Sequence, residues 1–248
     1  MKNKFLVLWF IGLVGAASVL PYAFTLQREV IAKTGQPLWV IVLASLAQTG
    51  VLLTFAIFFG LKLSQRVGLP IFTFFSSGKP IKQKLPGFIK LTAFLGTLTG
   101  VLIIVGDRVF GRFLPELTVA NSKIAAWKTL LASLYGGVVE EILLRLFCLS
   151  LLVWVLAKII HIVEPVKNNI IMWSAIILSS VLFGLGHLPI TAALTTITPL
   201  VVVRAILLNG IGGLVFGWLY WKKGLEFSMA THFTADIVIL FLFPMLLR

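Results

Sequence analysis

The sequence predicts an all-α polytopic membrane bundle of seven or eight transmembrane helices, and three observations predict it. The 248-residue chain is 59% hydrophobic and only 12% charged, with a mean hydropathy of +1.07. A water-soluble domain carries about 25% charged residues. Apolar runs of about 20 residues, each enough to span a bilayer, follow one another with short breaks. The basic excess, a net charge of +13, gathers in a few connections, as in loops held on the cytoplasmic side. No nucleic-acid-binding pattern interleaves with those charges, so DNA and RNA are not expected partners. The short breaks point to a single integral membrane domain over residues 1–248.

The first run, Phe5 to about Phe24, follows Met-Lys-Asn-Lys. It exceeds the roughly 7–15 residues of a signal-peptide core, and Pro21 interrupts its small-residue end, so it reads as a first transmembrane helix. Further spans fall near residues 37–61, 88–106, 126–157, 169–188, 199–221 and 225–246. Trp39, Trp127 and the cluster Trp218, Tyr220, Trp221 lie at span ends, where such rings favour the headgroup layer. In a seven-span arrangement Lys2, Lys4, Lys62, Arg66, Lys79, Lys82, Lys84, Lys90, Lys158, Lys167, Lys222 and Lys223 share one side. That predicts a cytoplasmic N-terminus. An eighth helix stays open, because 126–157 exceeds one crossing at 1.5 Å per residue and Pro189–Leu200 forms either a loop or a short helix.

Between the second and third spans, Gly68-Leu69-Pro70 and Ser77-Gly78-Lys79-Pro80 are turn-forming. The apolar stretch Ile71–Phe75 between them is expected to lie on the membrane interface. Gly78-Lys79 lacks the spacing of a phosphate-binding loop. Gly213 and Gly217 in the sixth span form a small-xxx-small pair, which favours close packing inside the bundle. The single Cys148 excludes an internal disulfide and reads as a small hydrophobe.

Polar groups inside these spans carry the functional signal, because ionisable residues at membrane depth are costly. Glu141 and Arg145 stand i,i+4 with the acid first, so they are expected to neutralise each other as a structural ion pair. Adjacent helical residues point about 100° apart, so Glu140 and Glu141 are not expected to face the same partner. Glu140, on the face of Gly136 and Gly137, is left beside room for a water or a substrate backbone, a setting that suits a proton-transferring base. Phe183 and His187 share one helical face, as do His232 and Asp236, and Asp236 is placed to orient the His232 imidazole. His161, in a connection beside Glu164, is given no role. Two chemistries fit Glu140, His187 and His232. They hold a divalent metal such as zinc with an open position for water, or Glu140 deprotonates water directly with a histidine assisting, while His232 with Asp236 stabilises the oxyanion.

Glu140-Glu141-Ile142-Leu143-Leu144-Arg145 resembles the Glu-Glu-x-x-x-Arg signature of the CAAX-protease and bacteriocin-processing (CPBP, or Abi) intramembrane peptidases. Phe183 through His187 matches their Phe-x-x-x-His signature, and His232 through Asp236 their His-x-x-x-Asn or Asp. The resemblance covers about residues 125–240. It implies an eight-helix (metallo)protease of the bacterial cell membrane that cleaves a membrane-associated protein or peptide in a cavity within the bilayer. Glu140, His187 and His232 are then the catalytic set. The last motif position, Asn in the prenyl-protein peptidases, is Asp236 here, which adds negative charge and favours metal binding. Family members process prenylated proteins, confer bacteriocin immunity in bacteria or mature peptides. The rival readings are a proton-coupled transporter, since buried Glu and His residues also build proton relays, and a non-catalytic membrane scaffold.

Overall fold

The computed structural model describes residues 2–76, 78, 80–115, 117 and 124–246. Seven helices among them are long and apolar enough to cross a membrane: α1 (Lys2–Leu26), α2 (Leu38–Val67), α3 (Ile81–Phe110), α4 (Ala126–Ile159), α5 (Asn169–Thr191), α6 (Pro199–Lys222) and α7 (Leu225–Leu246). No strand occurs among the described residues. The protein is an all-α integral membrane bundle. An eighth crossing, which the resemblance implied, is absent from the described residues. α5 is α-helical to Gly186, Leu188–Thr191 adds one turn, and the chain then runs in turns to Thr198. There the Thr198 hydroxyl accepts the Val201 N–H at 3.4 Å, and Pro199 occupies the first helical position, where its missing N–H costs nothing. Ser77 and Lys79 of the expected second turn lie outside the described residues.

α4 is the central helix: it packs on α1, α2, α5 and α7, while α5 pairs with α6 and α3 packs on α7 and α6. Its apolar side chains Val139, Ile142, Leu146 and Leu149 are buried against Ile57 of α2 and Met172 and Ile176 of α5. Large apolar residues on the other faces, among them Phe10, Val51, Phe94 and Val105, are exposed. In a bilayer such a surface faces lipid tails, so close packing rather than water exclusion holds helices together. Gly213 and Gly217 serve that packing. A Cβ at Gly213 would stand 2.5 Å from the Ser180 hydroxyl, and one at Gly217 3.0 Å from Ile176, both on α5.

α4 is not uniformly α-helical. Gly136–Glu140 and Ile142–Leu149 are wound as π-helix, as is Ile237–Leu242 in α7. Closing each hydrogen bond over five residues puts more residues in a turn, so successive side chains point less than 100° apart.

The stretch Ile71–Phe75, expected at the membrane interface, docks onto protein through Phe74 while Phe75 stays exposed. Thr73–Ser76 forms one helical turn, and Phe74 is buried against Phe88, with ring centroids 4.7 Å apart. The cause is Glu226 in the first turn of α7. Its buried carboxylate accepts the backbone N–H groups of Phe72 at 2.9 Å and Phe74 at 2.5 Å. The Thr73 hydroxyl donates to the Lys223 carbonyl. Towards the opposite ends of α3 and α6, Arg204 donates from Nε and Nη2 to Asp107 Oδ1, at 3.1 and 2.5 Å.

Candidate active site

The structure brings Glu140, Glu141, Arg145, Phe183, His187, His232 and Asp236 into one cluster formed by α4, α5 and α7. The π-wound stretch of α4 turns both glutamates toward α7. Glu141 Oε1 lies 2.7 Å from His232 Nδ1, and Glu140 Oε2 lies 3.7 Å from His232 Nε2. The expectation that the two acids face different partners is therefore corrected: they meet opposite nitrogens of one ring. Two long side chains that diverge from adjacent positions can still reach one ring from either side.

Glu141 is sealed, with its side chain 0% exposed. Beyond His232 it receives the Ser228 hydroxyl and lies 3.1 Å from Arg145 Nη1. The ion pair with Arg145 is thus present, but Glu141 also orients His232, the task expected of Asp236. Asp236 Oδ2 stands 3.7 Å from His232 Nε2, beyond a hydrogen bond. Arg145 is buried, and its guanidinium nitrogens lack hydrogen-bond partners among the described residues. Its charge is met by Glu141 and by two aromatic faces, Phe183 at 4.7 Å and Phe216 at 5.3 Å. The same rings hold the histidines. Phe216 stacks on His232 with centroids 4.4 Å apart, and Phe183 meets His187 edge-on at 4.9 Å.

The second histidine enters from the end of α5. His187 caps the helix that stops at Gly186, and its Nδ1 lies 2.9 Å from the Phe183 carbonyl oxygen. A carbonyl only accepts, so Nδ1 carries the proton and Nε2 presents a lone pair when the ring is neutral. That Nε2 stands 3.9 Å from Glu140 Oε1, and the two side chains are 32% and 20% exposed. Gaps of 3.7 and 3.9 Å suit a bridging water that makes two hydrogen bonds of about 2.8 Å.

The glycines beside Glu140 play a different part from the one expected. A Cβ at Gly136 would run into the Asp236 carboxylate and one at Gly137 would stand 2.7 Å from Phe233. They let α7 approach α4 and leave no vacancy for a substrate backbone. Among the described residues no three His, Cys, Asp or Glu side chains are grouped to hold a metal ion. Glu140, His187 and His232 have the donor chemistry for one, and both rings are anchored through their far nitrogens as metal ligands are. Their 3.7–3.9 Å separations exceed the edge of about 3.3 Å that bonds of 2.0–2.1 Å to tetrahedral zinc require.

Sequence reasoning missed Ser228 and Phe216. Ser228 carried a usable signal, lying four residues before His232 on the same helical face. Phe216 carried none, being one aromatic residue among many in an apolar helix.

Fold and site together define a polytopic membrane protein with a carboxylate–histidine centre built on three helices. Residues 122–238 match the family described as Type II CAAX prenyl endopeptidase Rce1-like. This stretch, which carries all three motifs, is accordingly similar to the CAAX-type intramembrane proteases. No curated protein and no solved structure matches the chain.

Proposed function

We propose that the chain is an endopeptidase that hydrolyses a peptide bond of a membrane-associated protein or peptide, with residues 125–240 as its peptidase core. One observation carries this reading: Glu140 stands 3.9 Å from His187 Nε2 and 3.7 Å from His232 Nε2, a spacing that suits one water. That water gives one hydrogen to Glu140 and directs the other to the His187 lone pair, leaving its oxygen free to attack. Glu140 takes the proton and passes it to the leaving amine. His232, held through Nδ1 by Glu141, directs Nε2 at the reacting centre, and in its doubly protonated form donates to the oxyanion. Glu140, Glu141 and Asp236 all face that ring and balance its positive charge.

A metal-assisted variant has one observation in its favour, the anchoring of both histidines through Nδ1. Glu140, His187 and His232 would then hold the ion, which would polarise the carbonyl or acidify a bound water. Activity that survives exhaustive chelation excludes this variant. The orientation we propose puts the N-terminus and the basic connections in the cytoplasm. The substrate class ranges over prenylated proteins, bacteriocin-type peptides and other membrane peptides.

Membrane proteomics of cells carrying the wild type or Glu140→Gln tests the proposal. Peptides whose cleavage disappears with the variant are substrates. An unchanged peptide profile, together with solute flux into proteoliposomes, favours a proton-coupled carrier instead. An unchanged profile with no flux leaves a scaffold.

A further inference from the structure

A pocket of about 500 Å³ opens between the ends of α2 and α4, with Arg66, Trp154, Lys158 and His161 on its walls. Arg66 and Lys158 each sit in the last turn of their helix. Cations there offset the exposed carbonyls of a helix end, and that alone would explain one of them. Three features go further. None of Arg66, Lys158 and His161 joins an ion pair among the described residues, and no carboxylate lines the pocket. The neighbouring acid, Glu164, is paired with Lys167 at 2.8 Å. His161 has a left-handed φ of 55°, a conformation costly for a residue with a Cβ, and this turn places it at the pocket. Finally, the adjoining side chains Ile159, Ile160 and Val163 are 64%, 52% and 92% exposed. Uncompensated cations beside bare apolar side chains match an amphipathic anion.

We propose that this pocket binds the phosphate of an anionic phospholipid. Arg66, Lys158 and His161 surround the headgroup, while Ile159, Ile160 and Val163 rest against the glycerol and upper acyl region. Trp154 lines the pocket wall, and indole rings favour this depth of a bilayer. A free phosphate would answer the cations but leave the apolar rim in water. Basic pockets at helix ends recognise lipid headgroups by this combination. The inference does not rest on the peptidase reading, because it shares no residue with the Glu140 cluster.

The test is native mass spectrometry of the full chain, delipidated and then offered phosphatidylglycerol or phosphatidylcholine. The wild type should retain phosphatidylglycerol preferentially. Arg66→Gln/Lys158→Gln should bind it about 25-fold more weakly, about fivefold per cation removed. Val163→Ser, which leaves all three basic side chains in place, should also weaken retention, so the proposal stays testable if the double variant misfolds. Equal retention of the two lipids overturns the proposal, as does undiminished phosphatidylglycerol binding by the folded variants. Displacement of the lipid by an equal concentration of inorganic phosphate overturns it too, and makes the ligand a soluble anion.

Discussion

Glu140 and Glu141 share a peptide bond but occupy opposite surroundings. The first is 20% exposed and stands near two imidazoles without a close hydrogen bond to either. The second is fully buried and meets His232, Ser228 and Arg145 at once. A group that must exchange a proton with substrate needs access and unsatisfied valence. A group that must hold a ring in place needs the reverse. Under the proposed hydrolysis, the doubled acid in the motif divides chemistry from support.

The strongest break in this comparison is Glu140→Gln. Loss of the base should lower the cleavage rate by about 10²–10⁴-fold while thermal stability in detergent stays near wild type, as read by parallel peptide-cleavage and melting assays. Glu141→Gln should fail in both assays. It strands the Arg145 guanidinium, whose nitrogens have no hydrogen-bond partner among the described residues, and removing one partner of a buried pair costs about 3–5 kcal/mol. Adding Arg145→Met to that variant removes the stranded charge and should recover most of the stability, with cleavage still impaired because His232 has lost its anchor. Recovery of both would reduce Glu141 to charge compensation alone.

Smaller effects sharpen the boundary. Ser228→Ala removes a hydroxyl that donates within the sealed cluster and should cost about 1–3 kcal/mol, visible as a lowered melting temperature with cleavage largely kept. Asp107→Asn weakens the half-buried link from α3 to α6 and should cost about 1 kcal/mol or less. A large loss of cleavage there would mean that the site depends on helix contacts well outside the cluster.

Much of this was legible in the sequence because charge inside an apolar span is so costly. Glu140, Arg145, His187, His232 and Asp236 stood out for that reason alone, and each lies in the cluster. The angular argument failed because it treated diverging side chains as having different partners, whereas an imidazole offers a nitrogen on each side. The glycines were misread for a related cause. A missing side chain signals a close neighbour as readily as an empty space, and only the position of α7 tells which. Glu226 and Asp107 escaped notice because they sit near span ends, where acids are cheap.

The tether between Glu226 and the backbone of Phe72 and Phe74 also bears on how this molecule can be divided. The stretch alike to known peptidases begins at residue 122, so it includes the carboxylate but not the amides that neutralise it. Cut free, that stretch would carry a buried anion with nothing to bind, six residues ahead of His232 on the same helix. The connection between the second and third helices thereby anchors the first turn of the helix that carries His232.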